Sequence, residues 1–218
     1  MEEPEEIIEP WYKKPLTYVL ALFLILLLVL WYFPSQSVKV DPEPSVIPPL
    51  SDVLPSEIVL GNRTSRLISQ EDFVSFIDPS DPIIKRIATQ IASSACASGE
   101  IVCQSKALFY FVRNNLDYVR DPVDFEYVED PKEVLHNGGG DCESGALLLA
   151  SLQESIGIDA QVVMIPGHAF LRVKLPEAVR RYKQDGDWVY LDWTCSGCAF
   201  GEIPLQNRDK KRSYMDVY

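Results

Sequence analysis

Leu16 to Phe33 reads LTYVLALFLILLLVLWYF, eighteen consecutive residues without a charge. At about 1.5 Å per residue, such a helix reaches across the roughly 30 Å hydrocarbon core of a bilayer. A run apolar on every side cannot serve as the one buried face of a water-soluble helix. Trp11 and Tyr12 precede it, and Trp31, Tyr32 and Phe33 close it, the pattern of aromatic belts at two membrane interfaces. A cleaved signal peptide has a shorter apolar core followed by small residues. Here the run ends in Trp-Tyr-Phe-Pro, which favours a retained anchor. Lys13 and Lys14 lie just before the span and Lys39 alone soon after it. The positive-inside bias therefore puts the short N-terminus in the cytoplasm and the remainder outside.

Composition divides the rest of the chain. Pro34, Pro42, Pro44, Pro48, Pro49 and Pro55 crowd the stretch after the span, so residues 34–68 are expected to be an extended extracytoplasmic linker. Asn62-Arg63-Thr64 within it is a glycosylation sequon. The expected organisation is a short tail over 1–15, a transmembrane helix over 16–33, that linker, and a folded domain over 69–218. With 47% hydrophobic and 24% charged residues, a chain of 218 can bury a sizeable core. Its net charge of −12, from 32 acidic and 20 basic side chains, argues against a nucleic-acid partner, which needs a clustered basic footprint.

Within the domain, Asp81-Pro82 has the form of a helix start, and Ile83, Ile84, Ile87, Ile91 and Ala95 recur at helical spacing. A second helix is predicted over 101–116, and a short helical turn over 131–136, broken by Gly138-Gly139-Gly140. A third helix, over 142–156, is apolar almost all round and ends at Gly157. Strands are predicted over 159–165, 168–175 and 188–194, with a tight turn at Pro166-Gly167. Helices followed by a run of strands indicate an α+β fold with a small antiparallel sheet packed on the third helix.

That helix opens on Asp141-Cys142 behind three glycines. A glycine run frees backbone amides and admits a substrate chain. A thiol at a helix N-terminus is expected to have its pKa lowered from about 8.5 toward neutrality, which favours a nucleophilic thiolate. If strands 168–175 and 188–194 form a hairpin with His168 directly opposite Asp192, then Phe170 faces Tyr190 and Arg172 faces Trp188. Asp192 then fixes the tautomer of His168, whose other nitrogen faces Cys142. The chain has two histidines, and His136, just ahead of the glycines, reads as a surface structural residue.

The segment GGGDCESGALLLASLQESIGIDAQVVMIPGHAFLRV, followed by WVYLDWT, resembles the transglutaminase-like superfamily of papain-type cysteine enzymes. More narrowly it resembles prokaryotic, especially archaeal, membrane-linked members. The resemblance covers about 107–204, including FVRNNLDYVRDP and CSGCAFGEIP. It implies a papain-like core with a Cys-His-Asp triad at Cys142, His168 and Asp192, and a protein or peptide substrate. It implies no cofactor and no metal. A thioester would form from an amide and pass to an amine or to water. Trp193 stands where the family commonly has proline, so the local backbone there is expected to differ. A non-catalytic peptide-binding module on the same scaffold is the alternative.

Four other cysteines remain. Cys195-Ser-Gly-Cys198 is one close pair, and Cys96 with Cys103 brackets a helix junction. Outside the cytoplasm both pairs suit disulfides, leaving Cys142 a free thiol. A four-cysteine zinc site is the competing reading, with only one half at metal spacing.

Overall fold

The apolar run forms a helix, α1 (Pro15–Val40), and its side chains from Tyr18 to Phe33 are exposed all round. The helix passes the expected stop at Pro34 and continues to Val40, since one missing N–H removes a single bond from the ladder and need not end it. This computed structural model describes residues 15–56, 58, 60, 70–121 and 127–217. The sequon at Asn62 and the flanking Trp11 to Lys14 lie outside the described residues. The chain divides into two units, Met1–Val40 and Asp41–Tyr218.

Two short helices, α2 (Leu50–Val53) and α3 (Gln70–Val74), lead into the main helical layer. Asp81 caps α4 (Pro82–Ala95), its carboxylate accepting from the Ile83 and Ile84 amides, with Pro82 at the first helical position. α5 (Ile101–Asn115) follows across a turn closed by the Cys96–Cys103 disulfide. The zinc reading is thereby excluded, because Cys195 and Cys198 are joined as well. After the two-residue strand β1 (Asp117–Tyr118) and the helix α6 (Pro131–Asn137), the chain turns through Gly138, at φ 71°, into β2 (Gly139–Gly140). β1 and β2 pair in parallel. The glycines thus serve the protein's own backbone, not an incoming chain: a Cβ on Gly139 would stand 2.6 Å from the Asp117 carbonyl oxygen.

α7 (Cys142–Ser155) is buried along most of its length, as its continuous apolar sequence required, and packs against α4, α5 and α6 on one side. On the other it meets a five-stranded antiparallel sheet of β3 (Ala160–Ile165), β4 (His168–Lys174), β5 (Lys183–Asp185), β6 (Trp188–Leu191) and β7 (Ser213–Asp216), in the order β5-β6-β4-β3-β7. Ala160, Val162, Leu171 and Val173 face the helical core, while Val163, Ile165, Phe170 and Tyr190 form a second, smaller cluster. The α+β class read from the sequence is correct. The hairpin register is not. β4 and β6 pair as Leu171 with Leu191 and Lys174 with Trp188, two residues away from the expected alignment. The reason is β5, which lies inside the stretch taken for a loop and turns directly into β6 at Gly186. A slip of two preserves faces, since side chains alternate with period two. Phe170 still meets Tyr190 edge-on, at 5.8 Å between centroids, and Arg172 still lies over the Trp188 ring.

The linker expected over 34–68 is corrected in part. Residues 41–54 lie on the domain: Ser45 bonds the Ala95 carbonyl, Leu50 N–H donates to Asn115, and Val53 is in the core. Lys106 holds the start of this strap, fully buried, with Nζ 2.5 Å from Asp41 and 2.7 Å from Glu43. Burial opposes the ammonium, but those two hydrogen bonds outweigh it and leave the Lys106 pKa raised. The same Nζ lies 5.0 Å from the Tyr182 ring centroid. Proline-rich sequence without apolar periodicity gave no sign of this anchoring. Replacing Lys106 by Ala is expected to destabilise the domain by roughly 2–3 kcal/mol, because it empties a fully buried site and removes the cation shared by Asp41 and Glu43, leaving Asp41 with Arg181 and Tyr182 alone; thermal unfolding measures this.

Candidate active site

The site forms where the N-terminus of α7 meets the end of the sheet at which β4 begins and β6 ends. Asp141 starts the helix by accepting the Ser144 N–H at 2.8 Å, which fixes Cys142 as its first residue. With the Ser144 N–H taken by this cap, the Cys142 and Glu143 N–H groups are the first-turn donors without a partner within the helix that can face an oxyanion. Cys142 is buried and is the one unpaired cysteine. Its Sγ lies against the backbone N–H of Ala169, the residue after His168.

His168 Nε2 is 2.8 Å from Asp192 Oδ2, with the aspartate fully buried and the imidazole largely so. Asp192 falls one residue past β6, which lets it reach His168 despite the shifted register. Its second oxygen accepts from the Thr194 N–H at 3.2 Å and from Thr194 Oγ1 at 2.8 Å. The Nε2 contact leaves Nδ1 as the ring nitrogen free to serve a second group. The sequence-derived trio is therefore brought to one place, although no hydrogen bond among the described residues joins Sγ to the imidazole.

Glu143 is the hydrogen-bond acceptor for that sulfur instead. The Cys142 thiol donates to Glu143 Oε2 at 2.9 Å. Burial, reinforced by this carboxylate, pushes the Cys142 pKa up to about 12, opposite to the lowering expected at a helix start. A helix dipole contributes about half a charge, too little against desolvation and a full carboxylate in contact. Asp141 is pushed up to about 7 by burial and by its hydrogen bond with Glu143. Asp141, Cys142 and Glu143 present ligand atoms within 4.8 Å of one another, the one such group among the described residues. Their carboxylates suit a hard cation, but Asp141 Oδ1 already caps α7 and Glu143 Oε2 already accepts the thiol.

Three further residues support the site. The Trp193 indole is buried against Gly145 of α7, where an added Cβ would lie 2.1 Å from the ring, and its Nε1 donates to the Cys142 carbonyl at 3.4 Å. Thr194 completes an Asp-x-Thr turn, a pattern visible in the sequence from the habit of Asp to accept from the residue two positions on. Tyr118, on β1, packs toward Trp193 at 6.2 Å between centroids. Its pKa is raised, first by burial and then by its proximity to Cys142. His136 stands apart, exposed in the last turn of α6.

Two outcomes follow. Gly145→Ala should displace Trp193 and with it Asp192, lowering stability by about 1–3 kcal/mol and impairing the site, read as a fall in Tm together with slower Cys142 chemistry. Glu143→Gln removes the charge that opposes the thiolate. The pH midpoint of Cys142 alkylation by iodoacetamide, followed by mass spectrometry, should therefore move down, and an unchanged profile would remove Glu143 from this role.

Comparison with known proteins adds three findings. No curated protein gives a significant match. Two solved structures of Legionella pneumophila LapG, one EGTA-treated and one calcium-bound, align at 17% and 16% identity with TM-scores of 0.43 and 0.41. These alignments cover 70% and 69% of this chain and 84% and 88% of theirs. The family model for the transglutaminase-like superfamily matches residues 85–193, half of the chain, and spans Cys142, His168 and Asp192. This protein belongs to the transglutaminase-like superfamily.

Proposed function

We propose that the chain is a membrane-anchored cysteine enzyme that opens an amide bond of a protein or peptide, with Cys142 as nucleophile, His168 as general base and acid, and Asp192 as the group that orients and steadies the imidazolium. The reading rests on one observation above all: His168 Nε2 is bound to the buried Asp192 while the Cys142 sulfur lies against the amide of the next residue, Ala169. Because the resting sulfur is protonated, attack is coupled to proton transfer. Sγ bonds to the carbonyl carbon as its proton passes to His168 Nδ1, and the oxyanion is met by first-turn amides of α7. The C–N bond then breaks, and the amine leaves with the proton from His168. The remaining thioester passes to water or to a second amine, and that step restores the thiol.

Membrane attachment belongs to the same proposal. α1 carries a mean hydropathy of 2.6 over Pro15–Phe33 and none of that window is buried, the condition of a helix made for lipid. The disulfides Cys96–Cys103 and Cys195–Cys198 support an oxidising, extracytoplasmic location for the domain. The raised Cys142 pKa favours a second reading, a non-catalytic module that uses the cleft to hold a peptide.

Both readings meet one experiment. The purified chain is offered a fluorogenic peptide-amide library, and Cys142 is monitored for a covalent acyl adduct. The enzyme reading expects an adduct and turnover that vanish in Cys142→Ala and fall by about 10³-fold or more in His168→Ala. Turnover retained by Cys142→Ala rejects the triad, and binding without any adduct identifies the module.

A further inference from the structure

We infer that the cleft beside His168 receives an acidic segment of the peptide substrate. This rests on the reading of His168 as the group that protonates the leaving amine, since that assignment places the departing part of the substrate on the histidine side. A cleft of about 700 Å³ opens there, lined by His168, Thr194, Ser196, Gln206, Asn207 and Lys210. Its size suits a bound segment, as ligand clefts run from about 300 to 1,000 Å³.

The segment that brings Lys210 to this cleft differs in charge from the rest of the molecule. The chain carries a net charge of −12, yet Arg208-Asp209-Lys210-Lys211-Arg212 has four basic residues in five positions. Arg208, Lys210 and Lys211 are exposed, and among the described residues none of them makes an ion pair with a carboxylate. Arg212 is occupied differently, lying over the Tyr190 ring and donating to the Arg208 carbonyl. Around the sulfur the sign reverses, with Asp141 and Glu143 against Cys142 and Glu129 nearby. Lys210, unpaired at the cleft edge and flanked in sequence by the exposed Arg208 and Lys211, attracts carboxylates over about a Debye length and repels an approaching lysine ammonium. The same rim therefore opposes lysine as an acceptor of the thioester and leaves water as the favoured one. A flat basic patch would suit anionic lipid equally well, but Lys210 lines the same cleft as His168, which favours the peptide.

The test uses the full chain in a neutral detergent, carrying Cys142→Ala so that binding is read without turnover. Two fluorescein-labelled peptides, three alanines followed by three glutamates or by three lysines, are titrated by fluorescence polarisation at low and at high salt. The glutamate peptide is expected to bind about tenfold tighter at low salt, with an advantage that shrinks as salt rises. Lys210→Glu is expected to weaken it by about three- to tenfold. Equal affinity for the two peptides, or an advantage untouched by Lys210→Glu, overturns the proposal. So does displacement of the glutamate peptide by phosphatidylglycerol vesicles in a Lys210-dependent manner, which would mark a lipid site. Absence of cleavage by the wild-type chain counts against the enzyme reading alone, because this measurement needs none.

Discussion

The seat of Trp193 on Gly145 is the contact on which the site depends. Helix α7 carries the proposed nucleophile, and the residue after β6 is Asp192, the carboxylate proposed to orient His168; these elements share no hydrogen-bond ladder. The indole is what ties them. Burying a tryptophan removes about 200 Å² from water, on the order of 5 kcal/mol as an upper bound. The Nε1 bond to the Cys142 carbonyl, long at 3.4 Å, adds about 1 kcal/mol at most. Packing therefore sets the distance between helix and strand, and the hydrogen bond selects the rotation of the ring. With Trp193 seated, Asp192 before it faces His168 and Thr194 after it closes the turn.

A second consequence of this geometry is electrostatic. Drawing Cys142 under the sheet strips it of water, and Glu143 gives its proton a place to rest. A preformed thiolate–imidazolium pair is thereby disfavoured in the empty site. The proposed chemistry then needs the substrate carbonyl to arrive before the sulfur gives up its proton, which links reactivity to occupancy. The dipole of α7 acts on the oxyanion formed later more than on the resting sulfur.

Much of this was legible in the sequence because it depends on spacing. The helix starts at Asp81 and Asp141, the all-round apolar character of 146–152 and the alternation of the strands are local signals; α4, α7 and β4 formed within a residue or two of their expected bounds, whereas β6 stops three residues early, at Leu191. The faces of β4 and β6 also came through, since parity survives a slip of two residues. What failed was non-local. β5 is three residues long and polar, so nothing in Lys183-Gln184-Asp185 announces a strand until β6 offers its edge. β7 and the strap over 41–54 likewise gain their form from partners far away in the chain. The thiol pKa was misread because a helix start is visible in sequence, whereas burial and the rotamer of Glu143 are not. Trp193 marked a departure from the family pattern, but its partner Gly145 became visible only in three dimensions.

The protonated state of Cys142 also bears on durability. With its pKa pushed up to about 12, the sulfur rests as a thiol, and not as a thiolate, at neutral pH. The ionised form is what peroxide oxidises and what exchanges with disulfides, and this domain holds two disulfides of its own. An idle molecule is thereby protected in oxidising surroundings against scrambling its cross-links or burning its single reduced sulfur to an acid, and under the proposed mechanism the hazard is confined to the short interval of each encounter with substrate.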